Sequence, residues 1–523
     1  MLRLVRQVPM QGGRAPRNTK VKPRSRLGCD NCKKLKTKCD ETKPSCLKCS
    51  KRGIDCVYSL EMVFQNPKMG HRKPKRLSKS PVSNKRSSLG ASESAPLEKS
   101  VEKCLLLPFN MPSFIPSSEI PILPLPENLL DHPYFREAFD FYRHFTAHFV
   151  VAAKPQLYPW NPLHTIVPEL ARDNKNLLDL LVSHALTHRS LVLTDENYNP
   201  HLIELLVTRG MYNLISTVGS ARNEVTCISA LMLCTQRIFS VADTDKYREI
   251  IEIAHTSYMA YIENDLDITR NDTGQYVLHE KKNCLAYFLR NWIGYFEIIG
   301  LMMYMAPNRA NTFFREKLVY EQFELRNDSK IDLFLGFNID FLLIFDRLIP
   351  ILKEADKTND HISSDVLAKA LEWEHELRAQ YQQFRSTPAK PTDPTESDDI
   401  LNATNEVFYN TGLLQLYRRV YKIPRNSKIV QNMVTKIYKR FKHVIESASS
   451  AENCAILPLF VAACESIEKE HRNFFYERFK IQFLGGNFPT GDVLKILVET
   501  WNTGDPWIKS AERVAGENGF FLI

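Results

Sequence analysis

No stretch of this sequence is long and apolar enough to cross a bilayer as a helix. The longest apolar run, residues 292–306, is broken by Glu297 and is too short. A membrane role is therefore not expected. A Gly-rich phosphate loop, a His-Glu-x-x-His pair and a nucleophile elbow are all missing, and the 14 histidines are read as scattered. The chain is expected not to be an enzyme. No alternation of strand and helix patterns appears, and no Asn-Gly hairpin joins two alternating runs, so a sizeable sheet is not expected either. Residues 1–28 lack acidic residues altogether.

That last absence belongs to a wider asymmetry. The 523 residues carry a net charge of +9, with 69 Lys+Arg against 60 Asp+Glu. Residues 1–100 hold 25 basic and 7 acidic residues, a surplus of +18. The remainder holds 44 basic and 53 acidic residues, a balance of −9. A basic head on an acidic body points to a polyanion as the partner of the head alone. At 44% hydrophobic residues the chain can bury a large core, in one large domain or several.

Cysteine is concentrated in one place. Six of the 12 cysteines are Cys29, Cys32, Cys39, Cys46, Cys49 and Cys56, separated by two, six, six, two and six residues. The same unit thus occurs twice: Cys-x-x-Cys, six residues, then a third Cys. A Cys-x-x-Cys turn presents two sulfurs to one tetrahedral ion. One zinc would use four thiolates and leave two idle. Two zincs need eight ligand positions, and six thiolates supply eight if two of them bridge. The repeat singles out Cys29 and Cys46 as bridges. One Zn2+ would then take Cys29, Cys32, Cys39 and Cys46, and the other Cys46, Cys49, Cys56 and Cys29. A disulfide framework is the alternative, but no secretory signal precedes the motif and the remaining cysteines are unpatterned.

This spacing, the lysine-filled first gap and the Lys43-Pro44-x-Cys46 turn resemble the binuclear zinc cluster of fungal transcription factors. The resemblance implies two Zn2+ ions and double-stranded DNA as partner. In that family the short helix of the first unit enters the major groove, usually to read a CGG triplet. Lys33, Lys34, Lys36 and Lys38 crowd that segment here, and ammonium groups there can meet the O6 and N7 acceptors of guanine. Lys36 stands where the family's main base-reading lysine lies. Leu35 departs from the pattern, which often has Arg or Lys. Arg24, Arg26, Lys48, Lys51 and Arg52 are further candidates for DNA contact. The bland alternative for these cations is a solvated charged face.

Residues 1–28, with Arg3, Arg6, Arg14 and Arg17 among their cations, have the composition of a mitochondrial presequence. Pro9, Gly12 and Gly13 interrupt any amphipathic helix, and the charge runs straight into the cysteine motif. A disordered basic arm adding phosphate contacts is the expectation. Residues 57–133 read as a linker, basic and Ser-rich to about residue 108 and Pro-rich beyond, with its first part disordered. Within it Arg72, Lys73, Lys75 and Arg76 form a short basic cluster, read as a nuclear-localisation signal rather than a solvated linker. Phosphorylation of Ser78 beside it would add negative charge and weaken import or DNA contact. Leu97, Val101, Cys104 and Leu107 give at most three helical turns, too few for a coiled coil, so a homodimer and its half-site spacing stay open.

From residue 134 onward apolar residues recur at helical spacing. The expected helices cover 134–153, 177–193, 202–218, 225–241, 247–262, 284–304, 339–352, 366–384, 403–421, 428–447 and 457–479. The stretch 284–304 is apolar almost all round and should be a central buried helix, and 386–399 reads as a loop. Phe141-Tyr142 with Asn161-Pro162-Leu163, Phe288 to Trp292, and Leu497 to Trp501 resemble segments of the fungal-specific transcription factor domain over residues 134–510. In style the chain is similar to the lysine-pathway regulator type of yeast. The fold class is thus mostly α: a small two-zinc cysteine module (29–56), a basic linker and a large all-α regulatory domain (134–523). The resemblance also implies transcriptional co-regulators and a small-metabolite effector as partners, and the nucleus as location. Arg290, in the central helix, is read as structurally paired rather than facing a ligand anion. Cys227/Cys234 and Cys454/Cys464 are read as small core hydrophobes.

The reading these features favour is a zinc-dependent, sequence-specific regulator of RNA polymerase II genes. The runner-up is a helical sensor or scaffold whose zinc module mainly binds protein partners.

Overall fold

The computed structural model describes residues 30–35, 37–40, 45–52, 54, 56, 125–192, 199–217, 223–238, 244–265, 267–303, 322–324, 331–357, 362–386, 396–484 and 491–515. The chain divides into two compact units, residues 1–92 and 93–523. The first is small. Its described elements are two short helices, α1 (Asp30–Lys34) and α2 (Leu47–Ser50), and among its described residues the buried side chains are those of Cys32, Cys39, Cys46 and Cys49.

The second unit is a helical body, mostly α as the periodicity indicates. Its helices start where the sequence supplies caps. Asn161 accepts from the Leu163 amide with Pro162 in the first turn, Ser427 accepts from Val430, and Ser449 accepts from Glu452. Each side chain satisfies an amide that the helix itself cannot. Helices pair mainly with chain neighbours: Glu224–Ile238 with Thr244–Asn264, and Lys175–Val192 with Pro200–Thr217. The expected central helix is present. It runs as Cys284–Gly294, a wider turn at Tyr295–Ile299, then Gly300–Met303, and is buried along almost its whole length.

Several boundaries differ from the sequence expectations. The 134–153 helix stops at Phe149, because the amides of Ala152 and Ala153 donate instead to the carbonyls of Phe334 and Leu333, each at 2.9 Å. The 457–479 stretch is two helices, Ile456–Glu465 and Lys469–Leu484, parted at Ser466, whose backbone is extended. The 386–399 loop is shorter than expected, since the flanking helices reach Ser386 and begin again at Glu396. Helices Val167–Asp173, Gly491–Thr503 and Trp507–Ala515 were not anticipated. Nor was the antiparallel hairpin that pairs Thr269 with Val277 and Arg270 with Tyr276, too short to carry a strand period.

Polar groups bind distant parts of this body together. The loop at 331–338 is held by Asp332, whose Oδ1 accepts the amides of Phe334 and Leu335 and whose Oδ2 accepts from Asn291 Nδ2 at 2.7 Å. Gly336 in this loop has φ +78°, and a Cβ there would lie 2.7 Å from that of Ala152. Asn405 Oδ1 takes the Asn338 amide, and Thr404 donates to the Gly336 carbonyl. The aromatic residues of 134–149 pack into the core, as expected of such a stripe.

The helix Ile456–Glu465 is buried at every position. Its last carbonyls need donors that water cannot bring. Trp501 Nε1 serves Ala463 at 2.8 Å, Arg425 Nη1 serves Cys464 at 3.4 Å and Gln431 Nε2 serves Glu465 at 2.9 Å, and just past the helix Arg472 Nε serves Ser466 at 2.8 Å. Arg425 also reaches the Thr500 carbonyl at 2.9 Å.

Two outcomes follow from these contacts. Arg425→Ala removes a donor from two carbonyls and should lower the unfolding free energy by on the order of 2 kcal/mol, read from the urea midpoint; an unchanged midpoint would refute the assignment. Burial pushes the Asp332 carboxyl up from 3.8 to about 6. A carboxyl that binds its proton more tightly when folded stabilises the fold fully below pH 3.8 and loses that contribution as pH rises through 6. Relative to Asp332→Asn, the natural protein should therefore lose stability between about pH 4 and pH 6. Parallel pH curves for the two proteins would contradict this.

Candidate metal centre and nucleic-acid interface

In the first unit two sets of thiols converge. The sulfurs of Cys32, Cys39 and Cys46 lie within 4.8 Å of one another, and so do those of Cys46, Cys49 and Cys56. Cys46 belongs to both sets. Its Sγ is 3.7 Å from that of Cys32. A disulfide would put two sulfurs about 2 Å apart. Four thiolates at 2.3 Å around one zinc sit about 3.8 Å from each other along a tetrahedral edge. The observed spacing suits a shared metal and not a bond between sulfurs. Among the described residues no two cysteines are joined by a disulfide.

Backbone amides point at the same sulfurs. The Cys49 amide donates to Cys46 Sγ at 3.4 Å, and the Cys46 amide to Cys56 Sγ at 3.2 Å. Such bonds favour the thiolate, which is the form that binds metal. Cys46 also caps α2 through its sulfur. Sequence reasoning did not foresee Asp40, whose Oδ2 accepts the Leu47 amide at 3.1 Å and so ties the end of the first repeat to the start of the second. An Asp just after a cysteine of the motif was the available signal.

Not every site residue of the sequence reading can be placed. Cys29, the other expected bridge, lies outside the described residues, as do Lys36, Arg24 and Arg26. So do Arg72, Lys73, Lys75 and Arg76 of the basic cluster, and Ser78. Of Lys33 only the backbone is described, within α1. Lys34 and Lys38 are exposed around the first thiol set, and Lys48, Lys51 and Arg52 around α2. Five described cations therefore surround a centre whose buried atoms are sulfurs. That arrangement can hold metal at the centre and meet a polyanion at the rim.

The other candidates fall inside the helical body. Arg290 donates from Nε to Asn291 Oδ1 at 3.1 Å and lies over the Tyr287 ring at 4.6 Å, consistent with a structural role. Cys227 and Cys234 are fully buried, and burial drives both thiols well above their usual range, which suits inert core groups. Cys464 is likewise buried, while Cys454 points its sulfur at the carbonyls of Val150 and Phe334. Among the described residues no helix is long and apolar enough to cross a membrane.

Comparisons with known proteins agree with both units. A model of the fungal Zn(2)-Cys(6) binuclear cluster domain matches residues 27–62. A model of the fungal specific transcription factor domain matches residues 137–511, most of the chain. The lysine biosynthesis regulatory protein of Saccharomyces cerevisiae is 45% identical over 56 residues, 11% of this chain and 6% of that protein. Sterol uptake control protein 2 of the same yeast is 50% identical over 36 residues, 7% and 4% of the two chains. The transcriptional regulatory protein moc3 of Schizosaccharomyces pombe is 40% identical over 58 residues, 11% of each. The chain thus covers only a small part of these curated relatives. No solved structure matches it.

Proposed function

The chain belongs to the fungal-specific transcription factor family, and from that premise we propose that it is a zinc-dependent regulator of RNA polymerase II genes that reads CGG-like triplets in the major groove and acts in the nucleus. DNA binding and transcriptional regulation are properties of the family, which is one of transcription factors and not of enzymes. Zinc binding accompanies the cluster domain. The finer assignments rest on one observation above all: Cys46 is common to both thiol sets. A sulfur shared by two sets is what six cysteines need if they are to fill two tetrahedral sites.

In this reading one Zn2+ is held by Cys29, Cys32, Cys39 and Cys46, and the second by Cys46, Cys49, Cys56 and Cys29. The metals fix α1 and α2 in a unit whose described residues form no apolar core beyond the cysteines, so metal binding and folding are one event. Lys33, Lys34, Lys36 and Lys38 supply base contacts. Arg24, Arg26, Lys48, Lys51 and Arg52 neutralise phosphates and add a salt-dependent term that is indifferent to sequence. Arg72, Lys73, Lys75 and Arg76 serve nuclear import. The body at 134–523 is the regulatory part, which contacts co-regulators and answers to a small-metabolite effector.

The primary test is selection from random DNA by the full chain, with zinc and with a chelator. Zinc-dependent enrichment of CGG-like triplets is the expected result, and equal binding with the chelator would overturn the proposal. Paired triplets at fixed spacing would add a homodimer. Metal stoichiometry by native mass spectrometry should fall from two ions to none in Cys46→Ala, and to one in Cys56→Ala; equal losses would remove the bridging role. Lys36→Ala should narrow the gap between specific and random DNA by about 1–3 kcal/mol. Arg24→Ala should weaken both alike, and identical behaviour of these two variants would sink the division between reading and holding.

A further inference from the structure

The apolar residue Leu35 sits among the cations of the first unit. It follows α1 directly, its amide donating to the Asn31 carbonyl at 2.9 Å, and two residues on the Thr37 amide turns the chain back onto the Cys32 carbonyl at 3.0 Å. Its side chain is 51% exposed, with exposed Lys34 before it and exposed Lys38 after it. Among the described residues of this unit the buried cluster is made of cysteines, and Leu35 is not part of it. A leucine at this point has no polar atom with which to meet a phosphate or a guanine edge. Among the features that base pairs present in the major groove, the thymine C5-methyl is the one an aliphatic side chain can bury favourably.

We propose that Leu35 is a specificity-determining residue that reads a thymine methyl group beside the lysine-contacted guanines. This rests on the reading above, in which α1 enters the major groove. The neighbouring lysines bring the helix end close to the bases, and closing water out from between Leu35 and the methyl supplies the preference. The target is then a guanine-containing triplet adjoined by a thymine at a fixed position, which narrows the class of site well beyond the triplet alone.

The test uses the zinc-loaded full chain and its variants Leu35→Ala and Leu35→Arg, each first checked for two bound zinc ions so that a collapsed module is recognised. Sites are selected from random DNA, and the thymine in the duplex preferred by the natural protein is then replaced by deoxyuridine, which lacks only the methyl. Loss of that methyl should weaken binding of the natural protein by about fourfold, the worth of one buried methyl-sized group. Leu35→Ala should bind the thymine and deoxyuridine duplexes equally, and Leu35→Arg should exchange the thymine preference for guanine. Zinc-dependent selection with no thymine preference, or the same deoxyuridine penalty in Leu35→Ala as in the natural protein, overturns the role of Leu35 and leaves the underlying reading intact. No zinc-dependent selection by any of the three overturns both.

Discussion

A helix end without water is the constraint that organises the body. Ile456–Glu465 is buried at every residue, and an interior helix leaves carbonyls that nothing in its own backbone can satisfy. Four donors answer it, from Trp501, Arg425, Gln431 and Arg472. They come from the turn after residue 420 and from three other helices. Each must be in place before the end can be buried, and the burial in turn fixes each of them. The Glu465 carboxylate adds a buried charge at the same point, held by Arg418 at 2.6 Å. Burial raises its affinity for a proton, and the Arg418 charge works against that. Removing the cation alone would leave a buried carboxylate uncompensated, the costly way to break such a pair.

The first unit solves the opposite problem. It has too few described apolar residues to build a core, and the larger ones are exposed: Leu35, Leu47 and Ile54. Hydrophobic burial cannot hold so small a unit. Metal–thiolate bonds are strong and local enough to replace it, and the Cys32 and Cys46 sulfurs, 3.7 Å apart, lie at the separation that a tetrahedral ion requires. Freed from packing, the surface can be given over to charge, and a surface cation costs the fold little. The two units are thus stabilised by different physics, which is why one chain can carry a strongly basic head and an acidic body.

These two kinds of stability also decide what the sequence discloses. Thiolate ligation depends on residue type and short spacing, so Cys32, Cys39, Cys46, Cys49 and Cys56 could be grouped from the sequence and are found grouped. Helical periodicity was legible for the same reason, being a property of neighbours. The sequence expectations failed where a distant group decides. Nothing local to 457–479 reveals that the chain must leave the helix at Ser466, because the reason is the set of donors arriving from residues 425, 431, 472 and 501. Helix 134–153 likewise ends early because Leu333 and Phe334 offer carbonyls to Ala152 and Ala153. Asp332 has no local signal in the sequence, yet it is the anchor of a buried loop, its role set by Asn291, which lies 41 residues earlier.

The same contrast bears on how the two halves can evolve. Every ligand of the metal centre is fixed by chemistry, but the residues between the ligands are not, and the exposed positions of α1 and the turn after it can change without disturbing the sulfurs. In the proposed reading of α1, base preference can therefore shift by single substitutions, and Leu35 is such a position. The body lacks this freedom at the end of the Ile456–Glu465 helix, where Arg425 alone serves two carbonyls and a change in one donor leaves a buried group unsatisfied. Its freedom lies on its exposed faces, at positions such as Tyr212 and Ile215, which are 73% and 62% exposed. In the proposed reading, specificity for DNA is thus separated from the demands of folding by the metal, while the body keeps its freedom on its exposed faces.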